Sequence, residues 1–375
     1  MHDVPPDQPL TVSTRDQCVL HAGVGDDNAW RFFFNRLASA FVLFMLLSAF
    51  IVVTVNPYGN LPNTIFQSHI IAQGNQRFQY PAIARSGHYD SILAGTSTSG
   101  ILKPERLGAV LDGKFANLAM DSARAWEQTQ IATLFRRSVG PDASLIVGID
   151  VVWCDKDADK VRTTERGFPD WMYDDNVWND LPRMLNATSL DHSWKRLRLA
   201  AGWKSEPIAP DGYKEFLPDE KKYDLAKVKS GIGLWSRDAY PAPNGSPQIM
   251  ANVAAPPALV WIDEILSLGW KRATLVFMPV HVTAQPRPGS SAYQVEQSCK
   301  ARISEIASRY NTPVIDFRIP SPITLDESNY WDRLHYRVPV GDDIAAHMAT
   351  ALKTLQDDTQ GRWRILNAAK AKPWR

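Results

Sequence analysis

An apolar run near the N-terminus reads LASAFVLFMLLSAFIVVTV, from Leu37 to Val55, and contains no charged residue. About 20 such residues are needed for a helix to cross the hydrocarbon core of a bilayer. A cleaved signal peptide has a shorter apolar core that begins nearer to Met1, whereas thirty-six residues precede this run. The run therefore predicts an uncleaved transmembrane anchor at 37–55, with a buried core helix as the alternative.

Basic residues around the run predict its orientation. Arg31 and Arg36 lie just before it, and the first basic residue after it is Arg77. Because basic residues are enriched on the cytoplasmic side, residues 1–36 are expected to be a cytoplasmic tail. The main domain, 56–360, is then expected outside the cytoplasmic membrane. The segment 361–375 has five basic residues and no acidic one, and we expect it to be a disordered basic tail.

Composition and short motifs give no support for a nucleic-acid, metal or cofactor site. The formal net charge of +1 gives no reason to expect a nucleic-acid partner. The sequence has no CxxC, no HExxH and no Cys/His cluster, so neither a metal site nor a cofactor is predicted. In the predicted topology Cys18 is cytoplasmic and unpaired. Cys154 and Cys299 lie in an oxidising compartment, where they either form a disulfide or remain free buried thiols.

Beyond the anchor, short apolar runs bounded by turn residues alternate with helical patterns, which predicts an α/β fold with a parallel sheet covered on both faces. The polar segment at about 155–250 has no sheet period and is too long for an ordinary connection. We interpret it as an inserted cap whose tryptophans pack structurally. The predicted strands are Tyr89–Gly95, Phe115–Ala119, Leu145–Trp153, Ala273–Met278 and Pro313–Phe317. The predicted helices are Pro104–Leu111, Ala123–Arg137, Ala255–Leu268, Tyr293–Tyr310 and Gly341–Leu355.

Polar residues lie at or near the ends of three of these strands and just before the last helix. Ile92 to Gly100 reads ILAGTSTSG, so Ser97 comes shortly after the first strand. The stretch NLAMDS ends at Ser122, GID ends at Asp150, and DRLH spans 332–335. Because the carboxyl ends of parallel strands meet at one edge of a sheet, these residues are expected to converge.

The order G-x-S, N-x-x-x-x-[G/S], G-x-[N/D] and D-x-x-H resembles the blocks of the SGNH (GDSL-like) hydrolase superfamily. LVFMPVH at 275–281 and YWDRLHYRVPVGDDI at 330–344 are similar to stretches of its bacterial membrane-anchored group, related to polysaccharide O-acetylation and D-alanylation proteins. The resemblance covers about 89–355, without the insert. It implies a three-layer, doubly wound SGNH or flavodoxin-like sheet, an inner-membrane anchor and a periplasmic domain.

The resemblance implies a catalytic triad, with Ser97 as nucleophile, His335 as general base and Asp332 orienting the imidazole. A serine hydroxyl is a poor nucleophile until a neighbouring base accepts its proton. The alternative for Asp332 and His335 is an N-cap with a solvent-facing histidine. Ser99 is a rival nucleophile, and Glu127 is either a second carboxylate in the cleft or a residue on a solvated helix face.

The oxyanion hole departs from the family pattern. Ser122 stands where the hydrolases have glycine, and Asp150 stands where they have asparagine. An ionised carboxylate cannot donate a hydrogen bond, so Asp150 is protonated, or points away while another group donates, or limits activity. His281 is the substitute donor we consider, and its alternative is a structural histidine.

Two functions remain open. The first is an anchored serine esterase or O-acyltransferase that acts on a cell-envelope or exported polysaccharide, with a membrane acyl-donor protein as a possible partner. The second is a catalytically degenerate SGNH scaffold that binds glycan or an envelope assembly partner. The character of Asp150 favours the second, and the order of the four blocks favours the first.

Overall fold

The computed structural model describes residues 27–61, 74–176, 178–203, 205, 207–241 and 245–374. Cys18 and most of the predicted cytoplasmic tail lie outside these ranges. The chain divides after Phe50 into two compact units.

The described part of the first unit is helical. Helix α1, Asp27–Val55, starts ten residues before the predicted anchor and ends with it. It is long and apolar enough to cross a membrane. Its large apolar side chains from Trp30 to Phe50 are exposed, unlike those of a core helix. The expectation of an apolar N-terminal helix is therefore confirmed.

The second unit is an α/β domain. Its described residues contain all five predicted strands and all five predicted helices, most with shifted bounds, and also a sixth strand and further helices that the sequence did not predict. Its strands are β1 Ser91–Ala94, β2 Phe115–Asn117, β3 Ser144–Ile149, β4 Arg272–Phe277, β5 Val314–Asp316 and β6 Arg364–Ile365. Its helices are α2 Gln76–Arg85, α3 Ser97–Gly100, α4 Pro104–Leu111, α5 Ala125–Val139, α6 Asp180–Met184, α7 Ala187–Ala200, α8 Leu225–Ile232, α9 Leu259–Ser267, α10 Ser291–Arg309 and α11 Val338–Thr354.

The six strands form one sheet in the order β2-β1-β3-β4-β5-β6. The first five are parallel, and β6 runs antiparallel to β5. The chain leaves β1 toward β2 and then crosses to β3 on the other side. The strand order therefore reverses at β1 and β3, and ligands of open α/β sheets bind outside the carboxyl ends of the strands at such a switch point.

Side chains alternate between two cores because successive residues of a strand point to opposite faces. Ile92 and Val147 pack on one face with residues of α2, α5, α9 and α10. Leu93, Ile146 and Val276 pack on the other with residues of α4, α8 and α11. Both faces of the sheet are therefore covered by helices, and the side chains at the centres of its main strands are apolar and buried.

The segment between β3 and α9 is the insert, and its described residues form helices and turns without a strand. It packs on the sheet domain. The carbonyl of Asp211 accepts a hydrogen bond of 2.9 Å from the amide of Asn117 in β2. The insert thus covers the outer edge of β2, which would otherwise expose unpaired backbone groups.

The C-terminal segment is ordered, so the expectation of a disordered tail is wrong. Arg364 and Ile365 pair with β5, and Trp363 is buried. The Trp374 indole donates to the carbonyl of Ala273 at 3.3 Å. The prediction was wrong because it relied on the basic residues of the segment. The burial of its apolar residues holds the segment on the sheet.

Cys154 and Cys299 form a disulfide, which decides between the two readings of these cysteines. Cys154 follows β3, and Cys299 lies on the buried side of α10. The bridge therefore fastens the start of the insert to a helix on one face of the sheet.

Candidate active site

Ser97 and His335 meet at the carboxyl edge of the sheet. Ser97 is the first residue of the short helix α3, directly after β1. Its Oγ lies 2.9 Å from Nε2 of His335. Both side chains are partly exposed, so a substrate can reach them.

Asp332 completes a chain of hydrogen bonds. Its Oδ2 lies 2.9 Å from Nδ1 of His335, and its Oδ1 accepts from the backbone amides of Leu334 and His335 at 2.7 and 2.9 Å. Burial alone would raise the pKa of Asp332, but the hydrogen bonds from His335 and the two amides outweigh it and lower the pKa. The ionised carboxylate holds the imidazole with Nδ1 protonated, which leaves Nε2 as the acceptor for Ser97.

A small hairpin positions this pair. Tyr330 and Tyr336 form an antiparallel bridge, and the Trp331 amide donates to the carbonyl of His335 at 2.8 Å. The Tyr336 hydroxyl donates to the carbonyl of Thr98 at 2.5 Å. This buried tyrosine ties the loop of His335 to the helix of Ser97. Tyr336 was not predicted as a site residue, although it directly follows the D-x-x-H block.

Ser99, the rival nucleophile, is fully buried. Its Oγ has no hydrogen-bond partner among the described residues and lies against Gly95 and Gly148. A Cβ atom at Gly148 would lie 1.8 Å from that oxygen, and one at Gly95 would lie 2.3 Å from it. The two glycines therefore make room for Ser99, and no substrate can reach its hydroxyl. Ser97 is the accessible serine of this turn.

Asp150 lies behind the nucleophile turn, at the end of β3. One carboxyl oxygen accepts a short hydrogen bond from the hydroxyl of Thr96, and the other accepts from the amide of Val152 at 3.1 Å. Burial raises the pKa of Asp150, while the Thr96 hydroxyl and the charge of Arg318 act against that rise. The carboxyl thus accepts hydrogen bonds from protein donors and braces the residue directly before Ser97.

Ser122 occupies the turn before α5 and is exposed. Its φ is 55°, in the left-handed region that glycine adopts most readily. The backbone at Ser122 therefore has a conformation that favours glycine. Within the described ranges, no hydrogen bond joins Ser122 to Ser97.

His281 is fully buried after β4. Its Nδ1 accepts from the amide of Thr283 at 3.3 Å, and its ring packs edge-on against Trp235 and Tyr330. Burial lowers its pKa, which favours the neutral imidazole. Its Nε2 is buried without a partner in the described structure. Among the described residues, no hydrogen bond joins Nε2 of His281 to Ser97.

Two further side chains make contacts that the sequence did not predict. Phe216 of the insert packs edge-on against His335, with ring centroids 5.5 Å apart, and sequence gave no signal for this contact. Glu127 is fully buried and makes a two-pronged ion pair with Arg77, both hydrogen bonds being 2.8 Å. The expectation of a solvated face for Glu127 is therefore wrong.

In the part of the chain that the structure describes, no group of three acidic, His or Cys side chains can hold a metal.

Comparison with protein-family models gives no match, and no curated protein matches the chain significantly. Any assignment of function therefore depends on the geometry of this site.

Proposed function

We propose that the protein is a membrane-anchored, SGNH-like serine esterase or O-acyltransferase that acts through an acyl-serine intermediate. One observation carries the proposal. The chain Ser97–His335–Asp332 has the two hydrogen bonds that convert a serine hydroxyl into a nucleophile. It lies at the carboxyl edge of a parallel sheet, where such folds place their chemistry.

The geometry supports the following steps. Nε2 of His335 accepts the proton of Ser97 as Oγ attacks the ester carbonyl carbon. Asp332 stabilises the imidazolium that forms. His335 then returns the proton to the departing alcohol oxygen, the ester bond breaks, and the acyl group remains on Ser97. Attack by water on this acyl-serine gives hydrolysis, and attack by a sugar hydroxyl gives transfer.

Backbone amides are the proposed oxyanion donors. Ser97 is the first residue of its helix, so its N–H lacks an intrahelical acceptor. The glycine-like backbone of Ser122 supports the use of its amide, as the resemblance implies. Because both oxygens of Asp150 accept hydrogen bonds from the protein, we assign it to bracing Thr96 rather than to binding the oxyanion. His281 is assigned a structural role.

Location and substrate are further parts of the proposal. Helix α1 anchors the chain in the inner membrane, with the second unit in the periplasm. The Cys154–Cys299 disulfide supports an oxidising compartment. Tethering concentrates the enzyme near an envelope or exported polysaccharide, and an acyl group can come from a membrane acyl-donor protein. Phe216 offers an apolar wall beside His335.

The character of Asp150 favours a second candidate. A buried carboxyl close to the nucleophile turn can oppose negative charge on an oxyanion and would suit a scaffold that binds glycan or an envelope assembly partner without catalysis. In that case Ser97 is not activated.

Labelling by a fluorophosphonate probe tests the proposal, because only an activated serine reacts. Full-length protein in detergent should be labelled, whereas S97A and H335A should not. S99A is the matched control and should be labelled as fully as the unaltered protein, since its hydroxyl is buried. Absence of labelling in correctly folded protein would favour the scaffold.

A further inference from the structure

Three tryptophans between residues 178 and 203 of the insert are exposed. Trp178, Trp194 and Trp203 are 62%, 55% and 68% exposed. Outside α1, no other aromatic side chain of the described chain is among its exposed large hydrophobic residues. Large apolar side chains that are exposed in one region indicate an interaction surface for a protein or a membrane.

Helix α7 carries part of this surface and is amphipathic. Ser189, His192, Ser193 and Arg196 form its buried stripe. On the outward side, Trp194 and Arg198 are four residues apart and therefore adjacent on the helix. The amide of Trp203 donates to the carbonyl of Arg198 at 2.9 Å, which fixes Trp203 at the helix end.

The buried stripe of α7 holds the segment that follows α1. Arg196 donates a short hydrogen bond to the carbonyl of Asn56. The Tyr58 hydroxyl lies 3.2 Å from Oγ of Ser189 and 3.0 Å from Nδ1 of His192. Helix α6 holds the same segment, since the Asn60 amide donates to Asp180 at 2.5 Å.

Because α7 holds Asn56 and Tyr58, it lies near Val55, where α1 ends. A residue extends the chain by at most about 3.6 Å, so Asn56 and Tyr58 lie within about 11 Å of Val55. If α1 spans the membrane, as in the proposed function, the helices that hold these residues lie close to the membrane surface. The exposed tryptophans are on, or directly beside, those two helices.

The chemistry of the surface fits phospholipid headgroups. Tryptophan is enriched where membranes meet water, because its ring is apolar and its N–H is polar. Arg183 and Arg198 are exposed in the same segment, and guanidinium groups bind the phosphates of lipid headgroups. Lys195 is paired with Asp191 at 2.5 Å.

We propose that this tryptophan face, formed by Trp178, Arg183, Trp194, Arg198 and Trp203, rests on the headgroups of an anionic phospholipid surface. The contact is a second attachment beside α1 and fixes the orientation of the domain on the membrane. The inference rests on the anchoring role proposed for α1, but not on the esterase chemistry.

Nitroxide labels test the inference in the full chain, reconstituted in nanodiscs of phosphatidylcholine and phosphatidylglycerol. W194C and W203C are each made in a C18S background, with the native disulfide retained. Electron paramagnetic resonance compares collisions with oxygen, which concentrates in lipid, and with a water-soluble nickel chelate. V260C is the matched control, because Val260 is 63% exposed on α9. F44C reports whether α1 is inserted.

We expect the oxygen-to-nickel ratio at both tryptophan positions to exceed that at V260C several-fold, and to fall toward it in detergent micelles free of phospholipid. A ratio equal to that of V260C, with F44C inserted, overturns the inference and leaves the anchor intact. Labels shielded from both reagents indicate a protein partner and also overturn it. If F44C is not inserted, both the anchor and this inference fail, while fluorophosphonate labelling of Ser97 still reports on the chemistry.

Discussion

Oγ of Ser97 lies 2.9 Å from Nε2 of His335, although 238 positions separate the two residues in the chain. The serine follows β1, and the histidine precedes α11. Helices α4 and α11 pack together on one face of the sheet, which brings the two loops to the same edge. The Tyr336 hydroxyl on the carbonyl of Thr98 then fixes the separation.

The first prediction concerns the unequal weight of His335 and Asp332. H335A removes the base and should lower kcat for p-nitrophenyl acetate by about 10³–10⁴-fold. D332A should lower kcat less, by about 10–10²-fold, because the Asp332 side chain is 57% exposed and water also solvates the imidazolium. D326N is the matched control, since Asp326 caps a neighbouring turn. Equal losses for H335A and D332A would contradict this ranking.

The sequence predicted much of this site because its blocks lie at the ends of strands. An apolar run followed by small hydroxyl residues marked Ser97, and the D-x-x-H spacing let Asp332 and His335 share one loop. Contacts over long sequence separation were not predictable in this way. Phe216 comes from an insert without periodicity, and the buried pair Arg77–Glu127 has the composition of a solvated face. The C-terminal segment was misread because its basic residues outnumber the buried Trp363 and Ile365 that hold it.

The second prediction is that D150N raises kcat at neutral pH by about tenfold, because it removes a negative charge close to the nucleophile turn that opposes the developing oxyanion. The asparagine can keep both contacts, since its carbonyl can accept from Val152 and its amide can donate to Thr96. Steady-state kinetics on p-nitrophenyl acetate measures the effect. A drop in kcat would show that the carboxylate contact with Thr96 matters more than its charge.

The same substitution has a pH signature in stability. Burial raises the folded-state pKa of Asp150 above the ordinary value of 3.8, so the protonated carboxyl favours the folded state. That contribution is fully present below the ordinary pKa and is lost as the pH rises through the raised pKa. The Tm of the unaltered protein should therefore fall relative to that of D150N across this window. Thermal melts between acidic and neutral pH check this, and a constant difference in Tm would contradict it.

The third prediction concerns the Cys154–Cys299 bridge, which closes a loop of 145 residues. C154S/C299S should lose about 2–5 kcal/mol of folding free energy, since a cross-link of this length restricts the unfolded chain. Among the described residues no hydrogen bond joins either cysteine to the triad, so kcat well below the Tm should be unchanged. Thermal melts with and without dithiothreitol measure the effect. The reductant should lower the Tm of the unaltered protein and leave that of the double variant unchanged.

The fourth prediction concerns Gly148, whose place in β3 depends on Ser99. In G148A the new methyl group would lie 1.8 Å from Oγ and 3.0 Å from Cβ of Ser99, so the variant should lose about 1–3 kcal/mol by overpacking. S99G removes both atoms and should recover part of that loss, because the nearest atom that remains then belongs to the flexible side chain of Met278, at 3.2 Å. G231A is the control, since Gly231 lies in α8 with no neighbour within 4 Å and should become more stable by about 0.5–1 kcal/mol. Denaturant unfolding of the four proteins in a double-mutant cycle measures the coupling between positions 99 and 148. Additive losses in that cycle would mean that Ser99 is not what requires glycine at this position.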